Sequence, residues 1–103
     1  MVIEDAKDYA FIVLDARGTI ATWNRGAESV FGHHADAIIG CHISTLFTVE
    51  DVRDRVPELE METAIAEGSA VDARWHVRND GTRFFADGVN RAFFDAEGKH
   101  LGF

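Results

Sequence analysis

The residues that could do chemistry in this sequence do not form a familiar catalytic motif. The chain contains no G-x-S-x-G, no phosphate-binding G-x-x-x-x-G-K and no H-E-x-x-H pattern. The segment E-L-E-M-E, from Glu58 to Glu62, offers alternate glutamates. Alternate side chains on a helix point apart, so this segment predicts a solvated acidic face rather than paired catalytic carboxylates. We therefore expect no catalysis within this chain.

The thiol and imidazole groups also lack a catalytic or metal-binding spacing. Cys41 is the single cysteine, next to His42, so it can form no internal disulfide and belongs to no C-x-x-C pair. We predict an inert, buried or half-buried thiol, with a reactive thiol as the alternative. His33, His34 and His42 fall in or beside short predicted helical turns, where solvent-facing or helix-terminal roles are expected.

Composition limits the partners and the location. The net charge of -8, from 18 acidic and 10 basic residues, would repel a phosphate backbone and predicts no nucleic-acid partner. No apolar run approaches the roughly 18 residues of a spanning helix, and the first residues lack the features of a signal peptide. We expect one globular domain over residues 1–103, in the cytoplasm, with no membrane contact within this segment.

Extended segments lie at both ends of the chain. Ala10 to Leu14 and Thr19 to Trp23 flank the turn D-A-R-G and predict a first hairpin. From Val71 onward, the turns N-D-G and D-A-E-G separate three further extended runs. The last of these ends at Phe103 after a few residues, so we expect a truncated strand and a fragment of a longer protein.

The middle of the chain has helical periodicity. Asn24 is a plausible N-cap for a short helix that Gly32 ends, and two single helical turns follow on either side of Gly40. Glu50 to Glu67 is the longest helical pattern, and Pro57 should restart it as a first-turn residue. Three apolar residues of this helix are predicted to face the sheet: Val56, Met61 and Ile65.

The order of these elements predicts the fold class. Two strands, several short helices and three strands indicate an α+β domain, with an antiparallel sheet and helices on one face. Each of the three turns then forms a hairpin corner of that sheet.

At this level of detail the sequence resembles a known family. From Tyr9 to Phe103 it is similar to a PAS domain of the S-box type, found in bacterial sensor histidine kinases and related signalling proteins. The resemblance rests on four motifs in order: D-x-x-G followed by W-N at 23–24, A-E-x-x-F-G at 27–32, I-I-G at 38–40 and R-x-D-G at 78–81.

The resemblance implies a particular fold and function. It implies a five-stranded antiparallel sheet whose concave face carries short helices and one longer helix around a cavity. It also implies a sensory or signal-relay module that binds a small ligand or mediates dimerisation. Such a module would regulate an effector, such as a histidine kinase, in the same full-length chain. A ligand-free structural dimerisation module is an alternative.

Cofactors of the family are disfavoured by particular residues. Haem is commonly held by a histidine of the long helix, and there is none between Glu50 and Gly68. A flavin adduct needs a cysteine where Ile43 stands, and Cys41 comes two residues too early. His76 and Ala86 replace the flavin-binding asparagines of that branch. We expect no cofactor, and a flavin- or haem-bearing redox or gas sensor is the alternative.

The first strand after the helices can be oriented in two ways. Alternation alone would bury its apolar set and leave its polar set in water. The resemblance implies the reverse, with Arg74 and His76 on the concave side. Trp75 and Val77 would then lie on the outer face, where a flanking helix or a second protomer packs.

In the register that the resemblance implies, the concave face could hold a ligand. The next strand turns small residues inward, so the predicted pocket comprises Arg74, His76, Ala86, Gly88, Asn90, Met61 and Ile65. Arg74, His76 and Asn90 would form a polar end suited to a small anion. The alternative is that an acidic side chain or a backbone carbonyl already satisfies Arg74 and His76.

Overall fold

The computed structural model describes residues 9–103. The strands are β1 (Ile12–Leu14), β2 (Ile20–Trp23), β3 (Ser69–Val77), β4 (Arg83–Arg91), β5 (Phe93–Phe94) and β6 (His100–Gly102). The helices are α1 (Arg25–Phe31), α2 (Ala35–Ile38), α3 (Val49–Arg53) and α4 (Val56–Glu67), with a 3₁₀ helix at Ile43–Leu46. The α+β prediction is confirmed.

The strands pair antiparallel as β1 with β2, β3 with β4, and β5 with β6. The three pairs are joined by hydrogen bonds between β1 and β6 and by the short chain connection between β4 and β5. Leu14 donates its N–H to the Phe103 carbonyl at 2.8 Å, and the reverse bond is 3.0 Å long, so β1 lies beside β6. Only Ala92 separates β4 from β5. The strands therefore follow one another in the order β2, β1, β6, then β5 with β4, then β3.

The three predicted turns share one mechanism. The Asp15 carboxylate accepts the N–H groups of Arg17 and Thr19, each at 2.9 Å, and Gly18 completes the turn with a φ of 87°. Asp95 accepts two N–H groups in the same way, and Asp80 accepts that of Thr82. An aspartate followed by glycine thus closes each corner, because the carboxylate satisfies the turn's N–H groups and glycine tolerates the left-handed backbone.

The predicted end residues of α1 are confirmed. Asn24 is extended and accepts the Ala27 N–H on its side chain, while Gly32 ends the helix with a φ of 80°. The Asn24 side chain also accepts the Phe11 N–H at 2.9 Å and donates to the Tyr9 carbonyl at 3.0 Å. One side chain therefore fixes both the start of α1 and the approach to β1.

The predicted helix from Glu50 to Glu67 is divided into two helices just before Pro57. α3 ends at Arg53, Arg55 adopts a left-handed φ of 61°, and Pro57 lies in the first turn of α4. The predicted restart at Pro57 is confirmed, since a first-turn residue needs no intrahelical N–H donor.

The helices and the concave side of the sheet enclose one core. Its buried apolar members are Leu14, Ile20, Trp23, Ala27, Phe31, Ile38, Leu46, Phe47, Met61, Ala64, Ala70 and Phe103. Helix α4 contributes Met61 and Ala64 and packs mainly against β3. This contact places Arg74 and His76, the polar residues of β3 that were predicted to face the concave side, beneath the helices.

Candidate functional site

Strand β3 presents different chemistry on its two faces. His76 is only 5% exposed, whereas Trp75 is 55% exposed. The alternation-based orientation is therefore wrong, and the orientation implied by the family resemblance is confirmed. The apolar set lies outward and exposed, while the polar set has partners on the helices.

Arg74 lies among three carboxyl groups. Its Nε is 2.6 Å from Glu60 Oε2 of α4, and its Nη1 is 3.5 Å from Asp51 Oδ2 of α3. The Nε atom is also 3.7 Å from Asp72 Oδ1 on the same strand. The close approach to Glu60 is not aligned as a hydrogen bond, although both atoms are buried. Arg74 thus joins α3 and α4 to β3.

His76 lies deeper under the helices. Its Nδ1 is 2.9 Å from the Leu46 carbonyl oxygen, and its Nε2 is 2.7 Å from Asp72 Oδ1. The rings of Phe47 and Phe31 meet the imidazole edge to face, with centroids 4.8 and 6.0 Å away. Backbone, carboxylate and aromatic rings therefore surround this histidine.

The two buried carboxyl groups differ in acidity. Burial, with Asp72 as a hydrogen-bonded and charged neighbour, raises the pKa of Glu60 to about 8 against the opposing influence of Arg74. Burial also raises the pKa of Asp72, but hydrogen bonds from His76 and Glu60 outweigh it, so the net pKa is lowered. The pKa values of the two groups are therefore moved apart, which favours the protonated form of Glu60 and the ionised form of Asp72.

Groups of the protein itself contact Arg74 and His76 in this structure. An acidic side chain reaches Arg74, and a carboxylate and a backbone carbonyl reach His76. A small anion at Arg74 would have to compete with Asp51, Glu60 and Asp72. The ligand itself stays a prediction.

Asn90 does not lie where the pocket prediction placed it. It pairs with Ala70, whereas Arg74 pairs with Ala86. Four residues along a strand correspond to about 13 Å, so Asn90 does not converge with Arg74 and His76. The error arose because cross-strand proximity was assumed without the register of β3 and β4. Ala86 and Gly88 do share the inner face, opposite Arg74 and Asp72.

Ile65 is also misplaced by the sequence prediction. It is 44% exposed, while Pro57, Glu60, Met61 and Ala64 form the buried face of α4. At about 100° per residue, Ile65 lies about 90° away from the centre of that face. Met61 is confirmed as buried, and Val56 is partly buried against the core.

The acidic segment of α4 is the clearest residue-level correction. Glu60 is buried at 6% exposure, although the sequence predicted a solvated face for Glu58 to Glu62. Its spacing from Pro57 and Ala64, at i−3 and i+4, could have placed it on the buried face. Asp72 and Asp51 were also missed, because their role depends on contacts between elements.

The remaining predicted residues have modest roles. His42 accepts the Ser44 N–H at 3.1 Å at the start of the 3₁₀ helix, and His34 precedes α2 with an 86% exposed side chain. Cys41 is half-buried. Within the described residues, 9–103, no group of three histidine, cysteine, aspartate or glutamate side chains is placed to hold a metal ion.

Two shallow grooves border β3. One, of about 350 Å³, lies beside the outer face and is lined by residues that include Asp51, Arg74, Trp75 and Phe85. The other, of about 280 Å³, lies beneath α4 and includes Glu60, Ala70 and Arg74. Arg74 is shared by both, so the edge of β3 is where solvent comes closest to the buried polar groups.

The outer face of the sheet carries exposed apolar side chains, and Arg83, Asp87 and Arg91 occupy the other outward positions of β4. Trp75 and Phe85 pair across β3 and β4 with ring centroids 5.8 Å apart, and they are 55% and 57% exposed. Further exposed side chains on outward positions are Phe11, Val13, Val71, Val89 and Leu101. We call these seven residues the outer face. Val77 is half-buried on the same side of β3, so the predicted partial exposure of Trp75 and Val77 is confirmed.

Comparisons with known proteins agree with this geometry. Two-component system protein A of Emericella nidulans is 37% identical over 103 residues, which cover 100% of this chain and 15% of that protein. The chain therefore spans a small part of this relative. In the part of the chain that the structure describes, no helix is long and apolar enough to cross a membrane.

Solved structures show the same fold. A PAS domain from Colwellia psychrerythraea superposes with a TM-score of 0.83 at 19% identity, over 90% of this chain and 78% of that one. A domain of a sensory box sensor histidine kinase/response regulator from Geobacter sulfurreducens gives 0.76 at 19% identity, over 97% and 83%. A PAS domain, in complex with ethanol, of a LuxR-family transcriptional regulator from Burkholderia thailandensis gives 0.77 at 23% identity, over 97% and 87%.

These structural likenesses establish the fold, and the PAS fold family model matches residues 2–103. The sequence match, the strand order and the helices on the concave side all agree. This chain belongs to the PAS fold family.

Proposed function

We propose that this chain is a non-catalytic sensory and signal-relay module of a longer cytoplasmic signalling protein. It regulates an effector, such as a histidine kinase, elsewhere in the same full-length chain. It does so by pairing with a second copy through the outer face. Binding of a ligand or a partner would shift the populations of different arrangements of the sheet and its flanking helix, and the effector would respond to that shift.

The observation that carries this proposal is the exposed outer face. Its seven residues are apolar or aromatic; six of them lie on four strands, β1, β3, β4 and β6, and Phe11 directly precedes β1. Monomeric proteins rarely expose large apolar patches to water, and such patches usually mark an interface. Trp75 lies on the edge strand β3 with the ring of Phe85 as its neighbour, and aromatic residues are enriched among binding hot spots.

The similarity to a two-component system protein supports an effector in the same chain. The matched segment is 15% of that relative, so the remainder of such a protein has room for other domains. The bacterial origin and the S-box type that the motifs suggested remain predictions.

The interior favours a relay without a bound ligand over a small-anion sensor. Aromatic rings and the Leu46 carbonyl occupy the surroundings of His76, and Asp51, Glu60 and Asp72 surround Arg74. We expect small carboxylates and phosphates to leave the melting temperature unchanged. A concentration-dependent rise that Arg74→Ala removes would instead establish the anion sensor, by mass action on the native state.

The dimer is tested by placing a charge on the outer face. Trp75→Glu should convert a dimer to a monomer in sedimentation velocity at micromolar protein, because a carboxylate would be desolvated within the interface. The matched control is Val49→Glu on α3, since Val49 is 75% exposed and lies off the outer face. It should remain dimeric.

A wild-type chain that stays monomeric would contradict the proposal. So would a Trp75→Glu variant that dimerises as well as the Val49→Glu control.

A further inference from the structure

The hydrogen bonds of His76 require more protons than a neutral imidazole has. Nδ1 faces the Leu46 carbonyl oxygen at 2.9 Å, and Nε2 faces Asp72 Oδ1 at 2.7 Å. A neutral ring has one N–H, and a carbonyl oxygen can only accept. The contact between His76 and Asp72 therefore contains an additional proton, on the ring or on the carboxyl group.

The contact between Asp72 and Glu60 needs a proton as well. Arg74 Nε lies 2.6 Å from Glu60 and 3.7 Å from Asp72, so the two carboxyl groups meet at one guanidinium, which can neutralise only one of them. Burial, and Asp72 as a hydrogen-bonding and charged neighbour, accordingly raise the pKa of Glu60, because two ionised carboxylates have no proton to share. Glu60 is 6% exposed, and its Oε2 has no aligned donor. A second proton therefore lies between α4 and β3.

The charges around these contacts balance when both protons are present. Titratable groups come from three elements: Asp51 on α3, Glu60 on α4, and Asp72, Arg74 and His76 on β3. The facing positions of β4 are Phe84, Ala86 and Gly88, which do not titrate. Three carboxylates and one guanidinium leave two uncompensated negative charges, and the two protons neutralise them. A buried cluster without them would be strongly disfavoured.

We propose that the buried sequence of contacts Leu46–His76–Asp72–Glu60 is a two-proton lock that joins the 3₁₀ helix and α4 to β3, and that alkaline conditions weaken it. We call these four residues the proton lock. The domain would thereby respond to pH through the packing of its helices on the sheet, a regulation that the fold family does not in itself imply.

The acidities of the two carboxyl groups give the direction of the response. Burial and Asp72 raise the folded-state pKa of Glu60 from 4.5 to about 8. The resulting stability is fully present below the unfolded value of 4.5 and is lost as pH rises through about 8. The pKa of Asp72 is lowered from 3.8 despite its burial, mainly by His76, so its contribution is lost only as pH falls below that value.

The test compares Glu60→Gln with a matched control. Glutamine keeps an N–H donor for Asp72 but cannot lose the proton. Glu62→Gln removes the same charge from an exposed position on the same helix. Urea unfolding is measured at several pH values between about 5 and 8. Glu60 should make the unfolding constant of the wild type rise by up to about tenfold per pH unit, the slope for one proton.

We expect Glu60→Gln to reduce that slope by up to one proton and Glu62→Gln to retain it. Equal slopes in the two variants would overturn the proposal. Should Glu60→Gln fail to fold, carboxyl ¹³C and imidazole ¹⁵N spectra of the wild type decide the question. A Glu60 carboxyl that titrates near 8 supports the lock. Glu60 and Asp72 both ionised at neutral pH beside a singly protonated His76 would contradict it. Both measurements concern the folded chain alone, so the absence of a dimer would not affect them.

Discussion

At the scale of single residues, Asn24 joins the first strand to the first helix. Its buried side chain accepts the N–H groups of Ala27 and Phe11 and donates to the Tyr9 carbonyl. The first bond caps α1, and the other two hold the chain that enters β1. Few side chains could replace it, because the position needs an acceptor and a donor on one short, planar group.

We predict that Asn24→Ala lowers the free energy of unfolding by about 1–3 kcal/mol, since it removes a helix cap and leaves buried backbone groups unsatisfied. Urea titration measures the change. The control is Asn79→Ala, because Asn79 is exposed. Equal losses in the two variants would show that the Asn24 contacts contribute little.

At the scale of elements, α4 shows how far hydrophobic periodicity can predict a structure. The position of the helix, its restart at Pro57 and the burial of Met61 follow from the sequence. The exact face does not, because Ala64 and Glu60 complete the buried stripe and neither adds to a hydrophobic pattern as Ile65 does. A buried glutamate becomes recognisable only when Arg74 and Asp72 meet it from β3.

The orientation of β3 was predictable only through the family resemblance. Its outward residues are more apolar than its inward ones, so alternation alone gives the opposite answer. Turn chemistry, by contrast, follows directly from Asp-x-x-Gly and Asn-Asp-Gly, since those contacts are local. Local contacts could be predicted from the sequence, and contacts between α3, α4 and β3 could not.

The α4 face makes a quantitative prediction about two apolar residues. Met61→Ala should cost about 2–5 kcal/mol, because it removes a buried side chain and leaves a cavity. Ile65→Ala should cost much less, since Ile65 is 44% exposed. Denaturant titration of both variants compares them directly. A larger loss at Ile65 than at Met61 would mean that α4 is rotated relative to its position here.

At the scale of the whole molecule, charge opposes the association that the outer face favours. Each chain carries a net charge of -8, so two copies repel each other at long range. The seven outer-face residues are uncharged, and the charged residues on the same side of β4 are two arginines and one aspartate, Arg83, Arg91 and Asp87. Association through this surface would combine apolar attraction at contact with electrostatic repulsion at a distance.

We therefore predict that added sodium chloride strengthens the dimer. The Debye length falls from about 10 Å at 0.1 M to about 3 Å at 1 M, which screens the repulsion but leaves apolar contact in place. Sedimentation equilibrium at the two concentrations gives the dissociation constants. A dimer that weakens with salt would point to ion pairs as its main contacts instead.

Side chains of β3 point alternately to the outer face and to the interior, so mutations at neighbouring positions of this strand affect different surfaces. Substitutions at its odd-numbered positions, such as Val71 and Trp75, would alter the choice of partner while the interior stays intact. Substitutions at even-numbered positions, such as Asp72 and His76, would alter the response to acidity and leave the partner surface as it was. If the outer face pairs and the proton lock titrates as proposed, evolution or a protein engineer could adjust the partner and the response to acidity independently, using neighbouring codons.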